Sequence, residues 1–129
     1  MIFEALIADD EAPARVELKR QLLDTGRVIV VDEAVSLQEA TQKMRNYPFD
    51  LAFIDWDIAG AGTSILKDAM EELEYKPLLV YMSAYSDYQP SPFGIEPLCH
   101  LVKPTDASQL DEVIATVEEA HRRPGGHRR

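Results

Sequence analysis

Asp9 and Asp10, Asp55, Ser83 and Lys103 all stand where an apolar run stops. The acidic pair follows Phe3 to Ala8, Asp55 follows Leu51-Ala-Phe-Ile54, Ser83 follows Leu78-Leu-Val-Tyr-Met82, and Lys103 follows Leu98 to Val102. Carboxylates gathered at one place repel unless a cation sits among them, and hard oxygen ligands suit Mg²⁺, which takes a few carboxylates and keeps waters. A lysine and a hydroxyl beside such a metal would hold a tetrahedral oxyanion such as a phosphoryl group. Each residue alone also has a plainer reading. Asp55 can cap the turn after its strand, Asp9-Asp10 can cap a helix beginning near Pro13, and Lys103 can be ordinary surface. Their occurrence at successive strand ends favours one shared site.

The elements that must position them alternate between two periods. Leu51 to Asp55 reads as a strand buried on both faces, and the Gly60-Ala-Gly62 loop follows it. Before it come a strand over Phe3 to Ala8, a helix opened by Pro13 and closed by Gly26, and a strand from Val28 to about Val35. Val16, Leu18, Leu22 and Leu23 are expected to form the buried face of that first helix. Ser36 with Glu39 three residues on has the form of a capping box, and the helix it opens ends before Pro48. Thr63 or Ser64 can cap a third helix through Leu73, and Asp106 or Ser108 a last one carrying Leu110, Val113, Ile114 and Val117. The pattern predicts an α/β fold with a five-stranded parallel sheet and helices on both faces. Ligands bind at the carboxyl ends of the strands in such sheets.

Composition bounds the function classes. The 129 residues, 46% hydrophobic and 28% charged, suit one globular domain with its own core. No apolar run has the length of a membrane span, and Met1-Ile-Phe-Glu4 lacks the basic start of a signal peptide, so a cytoplasmic location and no membrane partner are expected. The single Cys99 lies in an apolar run and excludes an internal disulfide. The formal charge is −10, and because Arg122, Arg123, Arg128 and Arg129 close the chain, residues 1–121 carry −14. Such a body repels nucleic acid. Residues 1–121 are expected to be the domain and 122–129 a basic, disordered tail.

Four motifs carry a family resemblance: Leu6-Ile-Ala-Asp9-Asp10-Glu11, Phe53-Ile-Asp55-Trp-Asp-Ile-Ala-Gly60, Met82-Ser83-Ala84 and Leu101-Val-Lys103-Pro104. Over about residues 3–121 the chain resembles the receiver domain of two-component response regulators. Asp9-Asp10-Glu-Ala-Pro-Ala-Arg15 and Ala84-Tyr-Ser-Asp-Tyr88 look most like receivers of the LytTR type. The resemblance implies a flavodoxin-like, doubly wound sheet of order 2-1-3-4-5. It also implies that Asp55 accepts a phosphoryl group from a sensor histidine kinase or a phosphotransfer protein. Asp10, Asp55 and the backbone carbonyl of Asp57 would ligate Mg²⁺, with Asp9 acting largely through water. Ser83 would bond the phosphoryl oxygen, Lys103 would pair with it, and the Lys103–Pro104 peptide would be cis. Ser83 and the residue at position 100 would form the switch. Homodimer or output contacts would use the face made by the fourth helix, fifth strand and fifth helix. Such a domain signals; the only reactions it catalyses are its own phosphorylation and dephosphorylation.

Three positions depart from the pattern. Ala59 stands where the family usually has proline, and His100 where it has Tyr or Phe. Pro90, Pro92, Gly94 and Pro97 disfavour a regular fourth helix, which is expected to be disrupted or shortened. Among Tyr85, Tyr88, Phe93 and Ile95, the sequence favours inward packing of Phe93 and Ile95 to cover the core there. These departures motivate one alternative, a degenerate receiver that only binds partners. Another is a haloacid-dehalogenase-type phosphatase, whose nucleophile motif Asp55-Trp-Asp57 resembles. That family needs its acidic pair downstream of the lysine, whereas Asp9-Asp10 lies upstream.

Overall fold

A computed structural model describes residues 1–85 and 90–122. Strands β1 (Phe3–Ala8), β2 (Val28–Ala34), β3 (Leu51–Asp55), β4 (Leu78–Ser83) and β5 (Cys99–Val102) alternate with helices α1 (Ala12–Asp24), α2 (Leu37–Asn46) and α3 (Ile65–Glu72), and α4 (Ala107–Arg122) follows β5. All pairings are parallel, in the expected order β2-β1-β3-β4-β5. The described part of the β4–β5 connection, 90–98, contains turns and no helix. Residues 86–89, which belong to the stretch where the fourth helix is expected to be disrupted or shortened, lie outside the described residues, as does the basic tail beyond Arg122. Arg122 itself closes α4 and pairs with Glu119 at 2.8 Å.

Helices cover both faces. On one, Leu18 and Leu22 of α1 and Leu110, Val113, Ile114 and Val117 of α4 pack on Phe3, Ala5, Ile7, Phe53 and Leu101. On the other, Leu37, Ala40 and Met44 of α2 and Leu66 and Met70 of α3 pack on Leu6, Ala52, Ile54 and Tyr81. β3 is central and buried throughout, which is why its side chains are apolar until Asp55.

The helix ends follow local chemistry. Ser36 accepts the Glu39 amide at 3.1 Å, and Glu39 in turn accepts the Val35 amide at 2.7 Å, one residue before the expected capping-box partner. Asp106 accepts the Gln109 amide at 2.9 Å and so opens α4. α3 starts after Ser64 without a side-chain cap, since that hydroxyl pairs with Asp68 at 3.0 Å. α1 corrects the sequence reading. Leu18 and Leu22 are buried, but Val16 and Leu23 are about two-thirds exposed, at 66% and 65%. Positions 16 and 23 lie one heptad apart on a side of the helix turned away from the sheet, and apolarity alone does not bring them in.

Phe93, in the described part of the β4–β5 connection, covers the second face. It is fully buried and meets Tyr81 edge-on, with ring centroids 4.8 Å apart. Ile95 packs partly buried beside it. Tyr81 donates to the Ile95 carbonyl at 2.6 Å, and burial pushes the phenol up to about 12. The Gly62 amide reaches the Pro92 carbonyl at 2.8 Å, tying this segment to the loop after β3. In that loop Gly60 has φ +98°, and a Cβ there would lie 3.1 Å from that of Leu37. Glycine is required both for the left-handed backbone and for that approach to α2.

Candidate functional site

Parallel strands deliver their carboxyl ends to one edge, and the polar residues that end the apolar runs meet there. Carboxylate oxygens of Asp9, Asp10 and Asp55 all lie within 4.8 Å of one another. Asp9 and Asp55 are buried, at 1% and 6% exposure, while Asp10 is open to solvent. Lys103 lies between the two buried groups, 2.9 Å from Asp9 Oδ2 and 3.1 Å from Asp55 Oδ1.

The electrostatics follow from this packing. Burial raises the Asp55 carboxyl above its usual range; the hydrogen bond and charge of Lys103 pull it back, and the charges of Asp9 and Asp57 push it up again. Burial disfavours the Lys103 ammonium, but its bonds to Asp9 and Asp55 outweigh that, and its pKa lies above the ordinary lysine value. Three carboxylates and one ammonium leave an excess of two negative charges. A hard divalent cation fits that excess and that donor set.

Local structure fixes each group. Asp9 continues β1 by donating its amide to Ala34 at 3.0 Å, and its Oδ1 accepts the Glu11 amide at 2.9 Å. It does not cap α1: Glu11 holds the N-cap position and makes no side-chain cap bond. Asp55 ends β3, where the next amide, that of Trp56, donates to Met82 at 2.8 Å. Asp57 is exposed two residues on. The Lys103 amide donates to the Ser83 carbonyl at 2.7 Å, so Ser83 and Lys103 are held side by side, and the Lys103–Pro104 peptide is cis. The Ser83 hydroxyl donates to the Tyr85 carbonyl at 3.0 Å and accepts the Tyr85 amide at 3.3 Å. His100 is exposed on β5 opposite Tyr81; its ring centroid lies 5.7 Å from that of Trp56 and 6.1 Å from that of Tyr81. Trp56, the residue next to Asp55, thereby links His100 to the end of β3.

Two glutamines that sequence reasoning passed over hold the Lys103 loop. Gln109 accepts the Val102 amide at 2.9 Å and donates to the Val102 carbonyl at 3.1 Å and the Pro104 carbonyl at 3.3 Å. Gln21 donates to the Thr105 carbonyl at 2.9 Å and accepts the Thr105 hydroxyl at 2.6 Å. Neither sits in a motif, and a neutral polar residue on a helix carries no signal of such a task. A cleft of about 390 Å³ lined by Asp9, Glu11, Leu18, Met82, Lys103 and Thr105 adjoins the acidic cluster.

No protein-family profile matches the chain. The sensory transduction protein LytT of Bacillus subtilis is 27% identical over 121 residues, covering 94% of this chain and 50% of LytT. The chain thus spans about half the length of the curated relatives it matches. Among solved structures, the REC domain of AraT, a response regulator from Geobacillus stearothermophilus, superposes with a TM-score of 0.75 at 28% identity, covering 92% of this chain and 95% of that one. A CheY-like response regulator receiver domain from Methylobacillus flagellatus has the same fold, with a TM-score of 0.73 at 21% identity over 91% of this chain and 99% of that one. Strand order, end-to-end coverage by receiver domains and similarity to LytT agree: the chain has the receiver-domain fold and resembles response regulators in sequence.

Proposed function

We propose that the domain is a signalling phosphoacceptor in a two-component system, with Asp55 as the acceptor and a sensor histidine kinase or phosphotransfer protein as the donor. The observation that carries this is the convergence of Asp9, Asp10 and Asp55 within 4.8 Å, with Lys103 bonded to the two buried members. A carboxylate oxygen of Asp55 attacks phosphorus in line with the leaving imidazole nitrogen. A P–O bond forms as the P–N bond breaks, and the nitrogen keeps the electron pair. Such transfers need positioning and charge neutralisation more than covalent assistance. Asp10, Asp55 and the backbone carbonyl of Asp57 would hold Mg²⁺, with Asp9 acting through water. The metal would supply positive charge to the phosphoryl oxygens.

Lys103, already paired with Asp55, opposes the effect of burial on that carboxyl and then pairs with the new phosphoryl group. Ser83 gives up its bonds to Tyr85 and donates to a phosphoryl oxygen, and His100 moves against Trp56 and Tyr81 in response. That shift of population between two states is the signal, read by a second copy or an output partner at the β5–α4 edge. A cytoplasmic location suits this role. Incubation with acetyl phosphate and Mg²⁺ should raise the intact mass of the wild type by one phosphoryl group and leave Asp55→Asn unchanged. Labelling that persists in Asp55→Asn would refute Asp55 as acceptor. Absence of labelling in the wild type would favour a module that only binds partners.

A further inference from the structure

Arg15 closes the Asp9-Asp10-Glu-Ala-Pro-Ala-Arg15 motif, and the phosphoacceptor reading leaves it without a task. It is half-buried, with 17% of its side chain exposed, and its guanidinium forks. Nη1 donates to the backbone carbonyl of Asp9 at 2.8 Å, and Nε donates to Glu33 Oε1 on β2 at 2.9 Å. The Asp9 carbonyl lies just past the point where the sheet can serve it. The Asp9 amide makes the last bond from β1 to β2, at Ala34, and the amide of Val35 is turned instead to Glu39. A carbonyl beyond a ladder needs another donor, and Arg15 is that donor. Across the same residue, the Asp9 side chain is fixed by the Glu11 amide and by Lys103. The peptide that joins Asp9 to Asp10 is therefore held on one side by its own turn and on the other by α1.

We propose that Arg15 is a positioning residue for the metal site: it fixes the Asp9–Asp10 turn so that Asp10 points its carboxylate at Asp55. The inference rests on the reading of Asp10 and Asp55 as Mg²⁺ ligands. A planar guanidinium can serve two divergent acceptors at once, whereas an ammonium is a point charge. Partners that orient metal ligands are commonly worth ten- to a hundredfold in affinity.

Charge and positioning predict opposite signs, which makes the claim testable. Removing a cation near an acidic site should by itself tighten Mg²⁺ binding, whereas loosening the turn should weaken it. Lys19 pairs with Glu33 from the same helix at 3.4 Å, so Lys19→Met measures the charge effect alone. Calorimetric titration with Mg²⁺ should give Arg15→Met a Kd about tenfold weaker than wild type, and Lys19→Met a Kd equal or tighter. In metal-free protein the Glu11 amide, which reports on the turn, should exchange faster in Arg15→Met than in Lys19→Met. Arg15→Lys keeps the charge and loses the fork; it should also bind more weakly, and it decides the matter if Arg15→Met does not fold. A Kd for the Arg15 variants equal to or tighter than wild type overturns the proposal. Failure of the underlying reading looks different: wild type and Asp10→Ala would then titrate alike. In that case the exchange of Glu11 in metal-free protein still decides whether Arg15 holds the turn, and equal rates in both methionine variants would overturn it.

Discussion

Asp57 adds a further negative charge near the proposed nucleophile, and its field is one of the forces that raise the Asp55 carboxyl. Its side chain is exposed, and only its backbone is needed for the metal in the proposed scheme. Removing the charge should therefore help an anionic donor approach. Asp57→Asn is expected to speed labelling by acetyl phosphate roughly two- to fivefold at low salt, with the gain shrinking as salt is added. An unchanged rate would show that the charge is not felt at Asp55. Cys99 offers a pH test away from the acidic cluster. Burial pushes its thiol up to about 11, so at pH 8 only roughly one molecule in a thousand carries the reactive thiolate. Because the folded value lies above the unfolded one, the stability this group contributes is fully present below the unfolded pKa and is lost as pH rises through about 11. Alkylation by iodoacetamide in native protein should be slow at pH 8 and still climbing at pH 10, where the urea-unfolded chain has levelled off. Levelling near pH 9 in the native protein would contradict this.

At the scale of elements, the segment between β4 and β5 carries the clearest mechanical demand. Its described part has no helix, and Phe93 instead fills the space against Tyr81. Phe93→Ala should cost about 3–5 kcal/mol in urea unfolding, because a fully buried ring leaves a cavity that the prolines on either side cannot collapse into. A cost below about 1 kcal/mol would mean that the segment is not part of the core. The inward course of Phe93 was legible in the sequence, since a proline-rich stretch without a helix still has a sheet to cover. The orientation of α1 was not. Val16 and Leu23 have the same chemistry as Leu18 and Leu22, and only the docking angle of the helix decides which pair is buried. The hold on Lys103 by Gln21 and Gln109 was equally hidden, because amide-to-backbone bonds depend on the loop's path and not on any spacing along the chain.

At the scale of the whole molecule, the alternation of apolar runs and amphipathic stretches was enough to lay out a parallel sheet, and the strand-end motifs were enough to resemble a receiver. The sequence could therefore name Asp9, Asp10, Asp55, Ser83 and Lys103 as neighbours. It could not show that Lys103 bridges both buried carboxylates, nor that the Ser83 hydroxyl is turned to Tyr85, since both depend on side-chain geometry at the sheet edge. Among the described residues no helix is long and apolar enough to cross a membrane. In the proposed chemistry, Asp55 at this edge becomes an acyl phosphate. An acyl phosphate is reduced by borohydride to homoserine, so the modified residue can be read by peptide mass spectrometry after incubation with acetyl phosphate. Homoserine is expected at position 55 alone, dependent on Mg²⁺ and strongly diminished in Asp10→Ala. Homoserine at another aspartate, or equal labelling when the metal is removed with a chelator, would contradict that chemistry.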